Sequence, residues 1–369
     1  MFNLLKRRII LAAGGTGGHV FPAQALAEVL VPKGWRVFLI TDNRGNGFAN
    51  EFPEQVEKLV LNMSNPSGAG KINFILSFWF LIKSLITVLQ FCILVKPSII
   101  VGFGGYPSLT SMIIAKVLRK SSAIHEQNAT LGRVNQMFQN QVDLLVFGLR
   151  PKNRQKRKVK SLVLGNPIRK AILQVNPDEY FKLPTSSFVI FVVGGSQGAN
   201  FVSSIACDAI IGLPENIRKK VKVLHQCRHE SISEIKSKYD AHNIKSETKS
   251  FFSDISFCFN RANLVIGRSG ASSVAELCFF GRPSILIPLP TAVGNHQFLN
   301  AASMQEIGAC VILNEKHLNP EDLRKKIRYI LENSRAANRM ASSAKKLSKP
   351  YAALDFASEL ENLILREMK

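Results

Sequence analysis

Residues 7–19 read RRIILAAGGTGGH, and the order of the parts decides the fold: a short aliphatic run, then four glycines around Thr16, then the start of a helix. Glycine at the end of a strand lets backbone N–H groups approach an anion at the positive end of the following helix, which a larger side chain would block. The same pattern returns at GFGGY (102–106) after KPSIIV, and at GGSQGA (194–199) after SFVIFVV. One such loop is weak evidence, because glycine also makes ordinary strand-to-helix turns. Three of them, spread over both halves of the chain, predict two α/β units whose ligand edges are built from strand ends.

Outward from the first loop, PAQALAEVL reads as a helix and WRVFLITDN as a second strand, in β-α-β order. KPSIIVGFGGY, SAIHEQN and DLLVFG add strands that end in glycine or polar residues. The second half restarts with SFVIFVVGGSQGAN, VKVLHQC, ANLVIGRSGASSVAEL and RPSILIPLP. The expected architecture is α/β with two doubly wound parallel-sheet domains, residues 1–170 and 171–349. Residues 350–369 contain AALDFASELENLILREM, apolar at helical spacing, and are expected to form an amphipathic helix returning to the first domain.

The bulk properties agree. A chain of 369 residues that is 46% hydrophobic has room for two cores. A formal charge of +22 draws polyanions: nucleic acid, an anionic bilayer or a phosphorylated substrate. The most basic stretch, RPKNRQKRKVK (150–160), reads as a solvated loop or a contact for anionic headgroups. It lacks the interleaved aromatics of a single-strand nucleic-acid platform, so no nucleic-acid partner is expected. Six scattered cysteines without a C-x-x-C pair fit a reducing, cytoplasmic setting. Lys6, Arg7 and Arg8 before IILAA imitate the start of a signal peptide, but the apolar run is short and ends in GGTGGH, as a first strand would.

The longest apolar segment, Ile72–Val95, reads INFILSFWFLIKSLITVLQFCILV. Three readings stand: a membrane span, disfavoured by Lys83 near its middle; a core helix; and a helix lying in the bilayer interface. In the third, Phe74, Phe78, Trp79, Ile82 and Ile86 enter the interface while Lys71 and Lys83 meet headgroups.

The strings GGTGGH, GGY, HEQN (125–128), GNPIR (165–169), GGSQGAN, RSGASSVAEL (268–277) and NHQFLNA (295–301), in this order and spacing, resemble the MurG-type peptidoglycan N-acetylglucosaminyltransferases of glycosyltransferase family 28. The resemblance spans nearly the whole chain. It implies a GT-B architecture of two Rossmann-like domains with an interdomain cleft. It also implies inverting transfer of N-acetylglucosamine from UDP-N-acetylglucosamine to the C4 hydroxyl of lipid I, giving lipid II. The implied setting is peripheral attachment to an anionic membrane, on the cytoplasmic face of the inner membrane, with a cell-wall synthesis complex as a possible partner.

Site residues follow from the same strings. Small residues at a loop-to-helix start, Ala271, Ser272, Ser273, Val274 and Ala275, suit backbone contact with a phosphate or sugar, and Glu276 suits ribose hydroxyls. Ser196 is a candidate phosphate donor. The resemblance places the Phe252 backbone at the uracil, Arg268 near the nucleotide, Gln297 and Asn300 at sugar hydroxyls, and Arg169 at the leaving pyrophosphate. On the N-terminal side it places Thr16, Gly17 and Gly18 at diphosphate and acceptor, and Asn128 at the donor sugar. His19 is the candidate base, because a neutral imidazole takes a proton near pH 7; capping or orienting the loop is its alternative. Glu126 is a secondary candidate for catalysis or for structure. No D-x-D string appears, so no dedicated metal site or other cofactor is expected.

Two positions depart from the family pattern. GGYVS reads GGYPS, so Pro107 removes a backbone donor from a loop expected to touch the acceptor. An acidic residue before the HQ pair is replaced by Asn295. Three rival readings remain. A dinucleotide oxidoreductase could use Asp42, but Val20 occupies the third glycine position. A UDP-sugar epimerase shares the two-domain architecture. A basic membrane or nucleic-acid-binding protein explains the charge but not the loops.

Overall fold

The computed structural model describes residues 7–62, 71–152, 159–177, 187–194 and 200–367, the side chains of 71–77 and 367 excepted. The chain divides into two compact units, Met1–Lys170 with Pro350–Lys369, and Ala171–Lys349.

The first unit holds β1 (Arg8–Ala13), β2 (Arg36–Asp42), β3 (Glu57–Leu61), β4 (Ile99–Gly104), β5 (Ser121–Glu126), β6 (Leu144–Phe147) and β7 (Lys160–Val163). They form one parallel sheet in the order β3-β2-β1-β4-β5-β6-β7. Strand order reverses between β1 and β4, so the connections leave in opposite directions there and open a crevice at the carboxyl ends. The alternation of side chains along a strand covers both faces. Ile9, Leu11 and Ala13 pack with Val20 and Leu26 of helix Gly17–Leu30 and with Phe356 and Leu360 of helix Ala352–Glu367. Ile10 faces the other way, toward Val88 and Cys92 of helix Lys71–Val95 and Met112 of helix Tyr106–Val117. Phe356 holds the last helix in place, its ring 6.3 Å from Phe103 and 5.7 Å from His125.

Helix Lys71–Val95 combines features of the three readings of its segment. Phe78–Val95 is long and apolar enough to cross a bilayer. Yet Ser84, Val88, Cys92 and Val95, at helical spacing, are buried, which does not fit a lone span surrounded by lipid. It packs on the sheet through that face, as the core-helix reading expects, but Phe78, Trp79, Ile86, Ile93 and Leu94 on its other face are exposed. Lys83 is exposed and Ile82 half-buried; the side chains of Lys71 and Phe74 lie outside the described residues. The helix is packed on one face and apolar on the other.

The second unit repeats the plan. Strands β8 (Phe188–Val193), β9 (Val221–Gln226), β10 (Lys245–Lys249), β11 (Leu264–Gly267), β12 (Ser284–Leu286) and β13 (Val311–Ile312) run parallel in the order β10-β9-β8-β11-β12-β13. Their reversal falls between β8 and β11. Ile190 and Val192 pack with Val202, Ile205 and Ile327 on one face. On the other, Phe191 meets Phe252 and Phe259 edge-on, with centroids 6.0 Å and 5.2 Å away. Two Rossmann-like doubly wound sheets are the fold expected from the glycine loops.

Candidate active site

In the first unit the reversal point carries two interlocked glycine loops. A Cβ on Gly14 would lie 2.6 Å from Pro107 Cγ and 2.9 Å from Asp42 Oδ2, and one on Gly105 would lie 2.8 Å from Gly14 O. Only glycine permits that approach. Ser108 locks the second loop to β1: its hydroxyl accepts from Gly104 N at 2.8 Å and donates to Ala12 O at 2.6 Å. Pro107 occupies the first turn of helix Tyr106–Val117, where a backbone N–H has no intrahelical partner. The helix therefore loses no hydrogen bond to this proline, while the loop still lacks the backbone donor that GGYVS would offer an acceptor.

Asp42 has a different task from the ribose acid of a dinucleotide fold. Its Oδ1 accepts from Gly15 N at 3.0 Å and from Gly45 N at 2.7 Å, so the carboxylate shapes the first loop itself. Thr16 is the N-cap of helix Gly17–Leu30, in extended conformation and without a side-chain capping bond. Thr16, Gly18 and His19 are half-buried and Gly17 is buried. His19 lies in the first helical turn, with Nδ1 2.8 Å from Gly14 O. A carbonyl only accepts, so Nδ1 carries the proton of the neutral ring and Nε2 is the basic nitrogen.

The end of β5 brings in HEQN. Glu126 is fully buried, and four donors converge on it: Asn128 N and Nδ2 at 3.0 Å each, Gly132 N at 2.8 Å and Asn135 Nδ2 at 2.8 Å. Both oxygens therefore hold the loop that presents Asn128. The neighbouring His125 is also buried, and desolvation pushes its pKa down to about 4 despite the Gly165 carbonyl. Arg169 lies against the first helix, with its guanidinium carbon 4.3 Å from the Phe21 ring centroid and Nη1 3.2 Å from Glu51 Oε2.

In the second unit, β11 leads into helix Ala271–Phe280, whose N-cap is Gly270. Ala271 and Val274 are buried, Ser272, Ser273 and Ala275 half-buried, and Glu276 is 7% exposed. The Ser272 hydroxyl, shielded from solvent in that first turn, has no hydrogen-bond partner among the described residues. Gly267 is required where β11 meets β8, since a Cβ there would lie 2.5 Å from Val193 O.

A network ties this loop to the NHQFLNA segment. Ser269 Oγ donates to Gln297 O at 2.8 Å, Asn300 Nδ2 donates to Ser269 O at 3.1 Å, and Gln297 Oε1 accepts from Leu289 N at 3.0 Å. Asn300 is fully buried within this network. Arg268 is buried too, donating to Ile287 O at 2.9 Å and pairing with Glu315. Asn295, in place of the family's acid, adopts φ 54°, a left-handed conformation that asparagine tolerates. Phe252 is buried against Phe191, with Lys249 Nζ 5.4 Å from its ring centroid. Ser196 lies outside the described residues.

Sequence reasoning missed Asp42 as a loop brace, and missed Ser108, Phe21, Glu51 and Glu315. The GGYPS string held a signal for Ser108, a hydroxyl just past two glycines. The others depend on pairings distant in sequence. No cysteine offers a nucleophile: all six are buried, and desolvation raises each thiol, Cys278 and Cys310 to about 12. Among the described residues, no group of three or more His, Cys, Asp or Glu is placed to hold a metal ion.

Residues 9–144 match the glycosyltransferase family 28 N-terminal domain, and residues 189–355 match its C-terminal domain. A UDP-N-acetylglucosamine–N-acetylmuramyl-(pentapeptide) pyrophosphoryl-undecaprenol N-acetylglucosamine transferase from Caulobacter vibrioides is 36% identical over 359 residues, covering 97% of this chain and 99% of its own. The transferase of the same description from Agrobacterium fabrum is 37% identical over 349 residues, covering 94% and 92%. The crystal structure of MurG from Acinetobacter baumannii superposes with a TM-score of 0.78 at 24% identity, covering 97% of this chain and 99% of that one. A putative UDP-N-acetylglucosamine 2-epimerase from Listeria monocytogenes gives 0.67 at 13% identity, with 96% of each chain covered. At such identities the structural likenesses speak for the fold alone.

Proposed function

The chain belongs to glycosyltransferase family 28, and from that premise we infer that it moves N-acetylglucosamine from UDP-N-acetylglucosamine to the C4 hydroxyl of undecaprenyl-pyrophosphoryl-muramyl-pentapeptide, forming lipid II. The observation that carries this reading is the identity of 36% running through 97% of the chain with a transferase named for that acceptor. The two glycine-loop edges supply the matching chemistry.

In the donor half, the N–H groups at the start of helix Ala271–Phe280 and the Ser272 hydroxyl, which has no partner among the described residues, suit a diphosphate, and Glu276 suits the ribose. Gln297 uses Oε1 on Leu289 and turns its amide NH2 to a sugar hydroxyl, while Arg268 and Asn300 hold the loops. The Phe252 backbone meets the base. In the acceptor half, Thr16, Gly17 and Gly18 receive phosphate, Asn128 is held by Glu126 for the sugar, and Arg169 faces the pyrophosphate. The acceptor oxygen bonds to the anomeric carbon as its proton passes to His19 Nε2. The bond from that carbon to the β-phosphate oxygen breaks, UDP keeps the electron pair, and inversion yields a β-1,4 linkage.

Attachment to the cytoplasmic face of the membrane is the setting we assign. Support comes from the exposed Phe78, Trp79, Ile86 and Ile93 beside Lys83, from exposed Val117 and Met137 on neighbouring helices, and from the charge of +22. Incubation of the purified protein with labelled UDP-N-acetylglucosamine and lipid I tests the whole reading. Label in lipid II with equimolar UDP is the expected result; release of an epimerised free sugar would replace it with the epimerase reading.

A further inference from the structure

One face of helix Gly17–Leu30 grips the segment that ends the first unit. Phe21, Gln24 and Glu28 stand three, four and seven residues apart in pairs, on one side of the helix. Glu28 Oε2 accepts from Lys170 N at 2.6 Å and its Oε1 from Gln24 Nε2 at 2.8 Å, while Gln24 Nε2 also donates to Glu51 O at 3.1 Å. Glu51 is thereby fixed through its backbone, and its carboxylate receives Arg169 Nη1 at 3.2 Å. The same guanidinium lies over the Phe21 ring, its carbon 4.3 Å from the ring centroid, and Phe48 steadies that ring edge-on at 5.9 Å.

Phe21 also touches the first glycine loop. A Cβ on Gly17 would lie 2.7 Å from Phe21 Cε2, so one ring stands against both the loop and the guanidinium. Arginine is long and loses much rotamer freedom when it binds a phosphate; a side chain already held in place loses less at that moment. The Arg169 side chain is only 13% exposed, as expected of a group held before its ligand arrives.

We propose that Phe21 and Glu51 are positioning residues that pre-orient Arg169 beside the first glycine loop for the donor's diphosphate. The proposal rests on the transferase reading and on Arg169 meeting the pyrophosphate. Its effect is on donor recognition: loss of the clamp raises donor KM more than it lowers kcat.

The test measures donor KM and kcat at saturating lipid I, with thermal midpoints, for the wild type, Glu51→Gln, Glu51→Asp, Phe21→Leu, Arg169→Ala and the double variant Glu51→Gln/Arg169→Ala. Glu51→Gln is expected to raise donor KM up to about fivefold, the upper range of a partly exposed ion pair. Glu51→Asp should recover part of the loss, and Glu51→Gln should add nothing once Arg169 is alanine. An unmoved donor KM in Glu51→Gln, or additive effects in the double variant, overturns the proposal. So does a lowered thermal midpoint with unchanged KM, the mark of a merely structural contact. Glu51 is 57% exposed, so its variant folds even if Phe21→Leu does not. Wild-type protein that releases no UDP from the donor sinks the transferase reading itself; an active wild type with indifferent variants sinks this proposal alone.

Discussion

The imidazole of His19 stands directly against Gly104: a Cβ on that glycine would come within 2.8 Å of both Cδ2 and Nε2. Gly104 has φ 107°, so its backbone and the ring both require the missing side chain. With Nδ1 held by Gly14 O, the ring is fixed at two points and its basic nitrogen has a set direction.

That geometry separates catalysis from binding. His19→Ala should lower turnover on the order of a hundredfold while UDP affinity stays within about twofold. Gly104→Ala should produce a similar split by displacing an intact imidazole. Single-turnover rates beside calorimetric UDP titration check both, and near-normal turnover in His19→Ala would leave the ring with an orienting role.

Glu276 lies almost fully buried in the helix that starts at the β11 edge, where a ribose contact would gain most from exclusion of water. Glu276→Ala is expected to weaken UDP binding by about 1 to 3 kcal/mol through lost hydrogen bonds. Titration of UDP into the variant decides it; an unchanged dissociation constant removes Glu276 from the donor site.

The strands were legible because parallel strands covered on both faces are continuous apolar runs, as in RIILAA and FVIFVV. The reversal points were legible through their glycines. Roles that arise from pairings distant in sequence were hidden. Asp42 looked like a ribose acid, yet the β1–β2 pairing brings it under Gly15. HEQN marked a site, but the four donors on Glu126 converge only once residues 128–135 have folded around it. The apolar segment Ile72–Val95 could not state how much of its surface the sheet would take, nor that Val117 and Met137 would be exposed as well.

Acid should destabilise each unit through one buried imidazole. Burial lowers the pKa of His125 in the first unit to about 4 and that of His225 in the second to about 3, from 6.5. Above pH 6.5 both folded and unfolded rings are neutral, and the fold has its full stability. Below it the unfolded ring takes a proton that the folded ring refuses, so stability falls by at most about 1.4 kcal/mol per pH unit per imidazole, down to the folded pKa. Thermal midpoints should decline from pH 6.5 to about 4, and His125→Phe, packed between Phe103 and Phe356, should flatten the decline of the first unit's transition. A slope unaltered by that substitution would assign acid lability to other groups.

The exposed face of helix Lys71–Val95 gives the membrane reading its own test. Phe78, Trp79, Ile86 and Ile93 are exposed while Val88 and Cys92 hold the helix to the sheet, so polar substitution on the outer face should spare the fold. Trp79→Ser and Lys83→Glu should each reduce sedimentation with vesicles containing anionic lipid and leave UDP affinity unchanged. The electrostatic share should fade as salt shortens the screening length from about 10 Å at 0.1 M to about 3 Å at 1 M, while the apolar share persists. Retention through alkaline carbonate extraction would indicate deeper insertion than an interfacial helix allows. Wild-type protein that stays in the supernatant at low salt would mean that this face meets some surface other than a bilayer.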